Sequence, residues 1–156
     1  MCILGPGIAS GSPLFTTQFF HFDAGGSSER RAIVIGQAGD RDDESIRAFA
    51  RAAWTLRPDR VFIKEMEIFL RGRERGVVSG IIESELRRRG AAADALVRCA
   101  SELEAARAAL IWSGAGDLVL LTTHAQRDEV IGLLERLAAS DWKPGDSLEP
   151  ATGSAR

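Results

Sequence analysis

The sequence has only two cysteines, Cys2 and Cys99, and they stand far apart in unrelated contexts. Their spacing fits neither a metal-binding set nor a disulfide framework, so we interpret both as reduced thiols. The chain also lacks a positive excess, because its 20 basic and 22 acidic residues give a formal net charge of −2. Domains that bind the phosphate backbone of nucleic acid carry a basic excess. Nucleic acid is therefore not an expected partner.

Long apolar segments are absent as well. No run of about 18 or more apolar residues occurs, which predicts no membrane-spanning helix and no membrane partner. The first residues carry no positive charge ahead of their apolar stretch, and Gly5, Pro6, Gly11 and Pro13 interrupt it, unlike a secretory signal. The 156 residues, 45% of them hydrophobic, suit one domain with a sizeable core. We expect a single soluble, cytoplasmic domain.

Recognisable catalytic and cofactor-binding sets are also missing. The patterns GxxxxGK[ST] and GxGxxG do not occur. No serine or cysteine stands in a recognisable relation to a base, and no carboxylates are spaced for a metal. The two histidines, His21 and His124, could act as bases or ligands, but a lone histidine at a strand end more often caps or packs. The sequence thus predicts no catalytic residue, metal or cofactor in this chain.

What the sequence does contain is a repeated alternation of strand and helix patterns. Short apolar runs indicate buried strands, the third of them weak, at residues 32–36, 59–64, 95–99 and 118–122. Apolar residues at helical spacing follow each run, and Ser101-Glu102-Leu103-Glu104 forms a capping box. The alternation predicts an α/β fold, a three-layer, mainly parallel, doubly wound (Rossmann-like) sheet with helices on both faces.

Composition and apolar patterning divide the chain into three parts. Residues 1–30 are rich in Gly, Ser and Pro around one extended-looking stretch, Leu14 to Phe22, and predict an irregular lead-in. Residues 31–140 hold the α/β pattern. Residues 141–156 are expected to form a flexible tail.

Two loops follow strands at the edge of the sheet where such folds bind ligands, beyond the carboxyl ends of the strands. They are residues 36–41 and 64–73, which we expect to lie side by side because their strands are parallel. In the second loop Arg71 and Arg73 flank Gly72, so two guanidinium groups could approach one carboxylate or phosphate. The alternatives are that the first loop only shapes a turn and that the arginines are solvated surface cations.

Three motifs in fixed order carry a family resemblance. Residues 36–42, Gly-Gln-Ala-Gly-Asp-Arg-Asp, are similar to a glycine-rich GDRD loop. Residues 59–65, with the Lys-Glu ending, and residues 70–76, Leu-Arg-Gly-Arg-Glu-Arg-Gly, form the most specific match, and residues 116–121 match a final Gly-Asp-Leu-Val strand. On these motifs, about residues 31–137 resemble the C-terminal domain of the Mur ligases, most closely the cyanophycin-synthetase-like branch.

In such ligases ATP phosphorylates a carboxylate, and the amine of an amino acid attacks the acyl phosphate. The resemblance implies a domain that closes over a central ATPase domain and positions the incoming amino acid or peptide-like molecule. ATP and magnesium are implied for the parent family and not for this chain. The implied substrate-binding residues, with the three arginines as candidate carboxylate clamps, are Gly39, Asp40, Arg41, Lys64, Glu65, Arg71 and Arg73.

The chain departs from the family in several places. The GKT-type loop and magnesium carboxylates of the central domain are absent, and residues 21–26 stand where the family has an Asn-Pro motif. The last strand ends in Thr122-Thr123-His124 instead of Gly-Lys-Gly-His-Glu, which disfavours diaminopimelate-type specificity. We therefore expect a detached or truncated domain that is not catalytic alone and that either binds a small amino-acid-like ligand or complements a separate central-domain chain. The alternative is a noncatalytic ligand-binding or protein-interaction module that kept the fold; an independent small enzyme is disfavoured.

Overall fold

Strands and helices alternate through the part of the chain that the computed structural model describes, residues 30–148 and the backbone of Thr16–His21. The strands are β1 (Thr16–His21), β2 (Arg31–Ile35), β3 (Arg60–Lys64), β4 (Leu96–Cys99) and β5 (Leu118–Thr123). The helices are α1 (Asp43–Trp54), α2 (Val77–Arg88), α3 (Glu102–Trp112) and α4 (Arg127–Ala139). Short 3-10 turns lie at Glu67–Phe69 and Ala93–Ala95.

The strands form one sheet in the order β1-β5-β2-β3-β4. Strands β5, β2, β3 and β4 pair in parallel, and β1 adds to the outer edge of β5 in the antiparallel direction. The predicted mainly parallel, doubly wound sheet is therefore confirmed.

Apolar side chains on both faces of the sheet explain the three layers. In β2, Ala32 and Val34 join a buried cluster with α3 and α4, whereas Ile33 and Ile35 join a second cluster with α1 and α2. Since successive side chains of a strand point to opposite faces, a continuous apolar run is required for a strand covered on both sides. The helices accordingly lie in pairs, α1 with α2 and α3 with α4.

Side-chain caps fix where two of the helices begin. The Asp42 carboxylate accepts a hydrogen bond from Ser45 N at 2.8 Å ahead of α1. Before α3, Ser101 Oγ accepts from Glu104 N at 3.1 Å, as the capping box predicts. The Glu104 carboxylate accepts a hydrogen bond from Ala100 N at 3.0 Å, whereas in the usual capping box the donor is the N-cap residue itself, here Ser101.

Both ends of the domain contribute more structure than their composition indicates. Strand β1 lies inside the segment predicted as an irregular lead-in and coincides with its extended-looking stretch. Beyond α4, Trp142 and Leu148 pack against the cluster under α3 and α4, so this part of the predicted tail is attached to the core. Residues 1–15, 22–29 and 149–156 of the lead-in and tail lie outside the described part of the chain. None of the described helices is long and apolar enough to cross a membrane.

Candidate functional site

The sheet has a topological switch point between β2 and β5. The chain leaves β2 toward α1 on one face and leaves β5 toward α4 on the opposite face. Open α/β sheets bind ligands in the crevice that such a divergence creates at the carboxyl ends of the strands. The loop after β2, residues 36–42, and the turn after β5, residues 124–126, line this position.

The two loops predicted to be neighbours are in contact. Gly39 N donates a hydrogen bond to Phe69 O at 2.8 Å. Arg73 reaches back across the same junction, with Nε on Gly39 O at 2.9 Å and Nη2 on Arg41 O at 2.7 Å. The side-by-side arrangement of residues 36–41 and 64–73 is confirmed.

Arg73 has a structural role that the sequence did not reveal. Its third nitrogen, Nη1, donates to Asp43 Oδ1 at 2.6 Å, and its side chain is only 24% exposed. Each guanidinium nitrogen therefore has a partner within the protein. The expectation of an exposed carboxylate clamp at Arg73 needs correcting: this side chain bridges the two loops because three acceptors from residues 39–43 surround it.

Gly39 is required by the closeness of the two loops. A Cβ at this position would lie 2.1 Å from the carbonyl oxygen of Leu70, a distance that no side chain tolerates. Gly36 is constrained in the same way by Lys64, whose Cγ would lie 2.6 Å from an added Cβ. The glycines of the first loop thus allow the close approach of the backbone to its neighbours.

Arg71 adopts an unfavourable backbone conformation. Its φ is +51°, the following Gly72 has φ +89°, and Arg73 N donates to Leu70 O at 3.0 Å. Two consecutive left-handed residues closed by such a bond form a type I′ turn, which favours Asn or Gly at the first central position. An arginine there is strained, and its guanidinium lies 5.6 Å from the ring centroid of Phe69. Strain of this kind clusters at functional sites.

Three predicted residues remain at the exposed rim of the loops. Asp40, Arg41 and Arg71 are exposed, and within residues 30–148 no ion pair involves any of them. Ile68, next to Phe69, exposes 68% of its surface in the same loop. We call Asp40, Arg41, Ile68 and Arg71 the loop rim.

Glu65 is buried and supports α2. Its carboxylate accepts hydrogen bonds from Gly76 N and from Ser79 Oγ, both at 2.9 Å. Gly76, the residue before α2, has φ +87° and no side chain to cap the helix, so Glu65 supplies the acceptor from another element. Arg98 completes the group by donating to Ser79 Oγ at 2.8 Å. Glu65, which the resemblance places among the substrate-binding residues, exposes only 8% of its surface and uses its carboxylate for these internal contacts.

Lys64 lies inside the protein at the end of β3, with a fully buried side chain. Its Nζ donates to Glu102 Oε2 at 2.5 Å, to the carbonyl oxygen of Thr122, and to His124 Nδ1 at 3.1 Å. An ammonium group has three N–H bonds, and these three acceptors use them all. Burial lowers the pKa of Lys64, and the Glu102 carboxylate opposes that shift. Lys64 therefore holds other elements together instead of facing a ligand.

His124 is neutral because of this environment. Burial lowers its pKa to about 4, with the Lys64 ammonium acting in the same direction and Glu102 against it. A neutral imidazole that accepts at Nδ1 carries its proton on Nε2, which we assign from the contact with Lys64.

Glu102 is the residue of this region that sequence reasoning missed. Its side chain is 1% exposed, and it accepts hydrogen bonds from the backbone nitrogens of His124, Ala125 and Gln126 as well as from Lys64. One signal in the sequence points to such a partner. Lys64 is one of only two lysines and ends an apolar strand, and a buried lysine requires a carboxylate.

Among the described residues no group of three or more His, Cys, Asp or Glu side chains could hold a metal ion.

A scan against protein-family models finds no match, and a search of the curated proteins finds none. The class that the fold defines is a doubly wound α/β domain with paired loops at the carboxyl edge of its sheet.

Proposed function

We propose that this chain is the amino-acid-positioning domain of an ATP-dependent amide or peptide ligase of the Mur type, with Arg41 and Arg71 as the carboxylate-binding residues. The observation that carries the proposal is the strained, exposed Arg71 at the tip of a turn that prefers Asn or Gly. An arginine costs stability at this position, so its presence is explained if its guanidinium has a binding role.

The chemistry of the rim suits a carboxylate. A guanidinium group binds a carboxylate through two parallel hydrogen bonds, which fixes orientation as well as position. Arg73 and the backbone bond from Gly39 to Phe69 hold both loops in place before a ligand arrives. Such preorganisation reduces the entropy lost on binding and favours a reactive geometry for the amine of the bound amino acid.

In this proposal the domain positions a substrate and does not transfer phosphate. ATP and magnesium are supplied by a central domain, either elsewhere in the same polypeptide or on a separate chain. There the acyl phosphate forms, and the amine of the amino acid held at the loop rim attacks its carbonyl carbon and displaces phosphate.

Ile68 favours a second candidate function, a protein-interaction module. A side chain that exposes 68% of its surface beside Arg71 provides an apolar contact with a charged neighbour, a combination found in interfaces. The two candidates differ in the ligand that the rim requires. A positioning domain binds free amino acids or short peptides, and an interaction module does not.

A thermal-shift screen of the purified chain with amino acids, dipeptides and nucleotides tests the proposal. A ligand at a hundredfold over its dissociation constant should raise the free energy of unfolding by ~2.7 kcal/mol. The matched control ligands are the methyl esters of the same amino acids, which keep the side chain and lose the carboxylate. Stabilisation by the acids and not by the esters or nucleotides is expected. Equal effects of acid and ester would contradict the carboxylate site, and no effect of any amino acid would favour the interaction module.

A further inference from the structure

The turn after β5 and the buried end of β3 surround one carboxylate with positive and donor groups. From this arrangement we infer that the turn between β5 and α4 forms a built anion site with Glu102 as its resident ligand, and that this edge of the switch-point crevice is therefore closed to free phosphates and carboxylates. The site consists of Lys64 Nζ and the backbone N–H groups of His124, Ala125 and Gln126. We call these four donors the Lys64 anion site.

The hydrogen bonds define a complete coordination of the anion. Oε2 of Glu102 accepts from Lys64 Nζ at 2.5 Å, from His124 N at 2.9 Å and from Ala125 N at 3.3 Å. Oε1 accepts from His124 N at 2.8 Å and from Gln126 N at 3.2 Å. Backbone N–H groups at the start of a helix are the usual ligands of phosphate in α/β folds. Here a protein carboxylate occupies that position.

The buried ammonium of Lys64 distinguishes this site from the backbone turn that precedes any helix. The side chain of Lys64 is fully buried and that of Glu102 is 1% exposed. A buried ion pair is tolerated when further hydrogen bonds satisfy both ions, and here the three protons of Lys64 all have acceptors. Removing only the carboxylate would leave an uncompensated buried charge facing unpaired donors. A small external anion should then bind in its place.

The two edges of the crevice therefore have different roles. Glu102 fills the anion position at the β5–α4 turn, and the loop rim with Arg41 and Arg71 stays accessible. A nucleotide or acyl phosphate is thus excluded from the turn that leads from β5 into α4. This inference stands independently of the proposed function, because it concerns the Lys64 anion site and not the loop rim.

Chemical rescue of Glu102→Ala tests the inference. The variant should melt well below the wild-type protein in sodium chloride at neutral pH. Replacing chloride by formate at equal ionic strength should raise its melting temperature in a saturable manner, by about 5 °C or more. The wild-type protein and Glu104→Ala, which removes an exposed carboxylate from the same helix, should respond equally to both salts. A Glu102→Ala response to formate no larger than that of these two proteins would overturn the inference.

Two further measurements keep the test decisive. If Glu102→Ala does not fold in chloride, its refolding is followed by circular dichroism with and without formate. Recovery of secondary structure with formate supports the site, and no recovery overturns it. The double variant Lys64→Met/Glu102→Ala lacks the ammonium, so its response to formate should be at least several-fold weaker. An undiminished response would place the anion elsewhere and also overturn the inference.

Discussion

Arg73 Nε lies 2.9 Å from the carbonyl oxygen of Gly39, so a side chain from the loop after β3 closes on the backbone of the loop after β2. The same guanidinium reaches Arg41 O and Asp43 Oδ1, which are contributed by the chain that leads into α1. These contacts fix the position of the two loops relative to each other in the folded domain. A ligand does not have to bring them together.

Replacing Arg73 with lysine should therefore destabilise the protein. A single ammonium cannot reach all three acceptors around the guanidinium, so partly buried acceptors such as Gly39 O and Asp43 Oδ1 lose their donors. We expect the free energy of unfolding in urea to fall by about 1–3 kcal/mol. Arg75→Lys, at an exposed position in the same segment, should change it by no more than about 0.5 kcal/mol. Equal free energies of unfolding of the two variants would contradict the bridging role of Arg73.

Gly39→Ala tests the close approach of the loops. The added Cβ would meet Leu70 O at 2.1 Å, so either the backbone bond from Gly39 to Phe69 breaks or both loops shift. A loss of more than about 2 kcal/mol is expected from melting curves. Gly132→Ala is the control because it lies within α4, where the nearest atom is the flexible end of Arg136 at 3.3 Å. That change should raise stability by about 0.5–1 kcal/mol. Similar losses in both variants would contradict the packing described.

Arg71→Asn should stabilise the domain. Asparagine tolerates the left-handed conformation that Arg71 adopts, and it is preferred at this position of a type I′ turn. A gain of about 0.5–1 kcal/mol in the free energy of unfolding is expected. Arg57, also exposed and left-handed with φ +49°, is the matched position for an Asn substitution away from the loop rim. A loss of stability in Arg71→Asn would show that the arginine makes contacts that outweigh its strain.

The stability of the protein should depend on His124 between pH 6.5 and 4. The pKa of His124 is lowered from 6.5 to about 4. Below pH 6.5 the imidazole therefore binds a proton in the unfolded chain but stays neutral in the native protein until the pH approaches 4. Stability is complete above pH 6.5 and is lost as the pH falls toward 4, by at most about 3 kcal/mol. In His124→Asn, which keeps an acceptor near the Nδ1 position, the denaturation curves should show a weaker decline over this range. Parallel declines in the two proteins would contradict a neutral native His124.

The fold and the pairing of the loops could be read from the sequence because both depend on local patterns. Continuous apolar runs identify strands covered on two faces, and parallel strands place their following loops at one edge. The capping box at Ser101 could be predicted for the same reason, since the residues that form it lie close together in the sequence. Strand β1 was harder, because its assignment depends on pairing with β5, which lies about a hundred residues later in the chain.

The internal partners of the candidate residues could not be predicted in this way. Lys64 meets Glu102 and Thr122, which are 38 and 58 residues away in sequence. Motif position alone predicted the same ligand-binding role for all five residues. In the structure Lys64, Glu65 and Arg73 are buried or partly buried, whereas Arg41 and Arg71 are exposed. A charged residue that ends a buried strand needs a partner, and that partner is determined by the packing of the whole domain.

The most direct test of the account is a calorimetric titration of the amino acid that gives the largest thermal shift. The wild-type protein, Arg41→Lys, Arg71→Lys and Arg71→Asn are compared under the same conditions, with melting curves for each. We predict that all three substitutions weaken binding by at least about tenfold, equivalent to about 1.4 kcal/mol, and that Arg71→Asn does so while melting at a higher temperature than the wild type. Unchanged affinity in all three variants would contradict carboxylate binding at the loop rim.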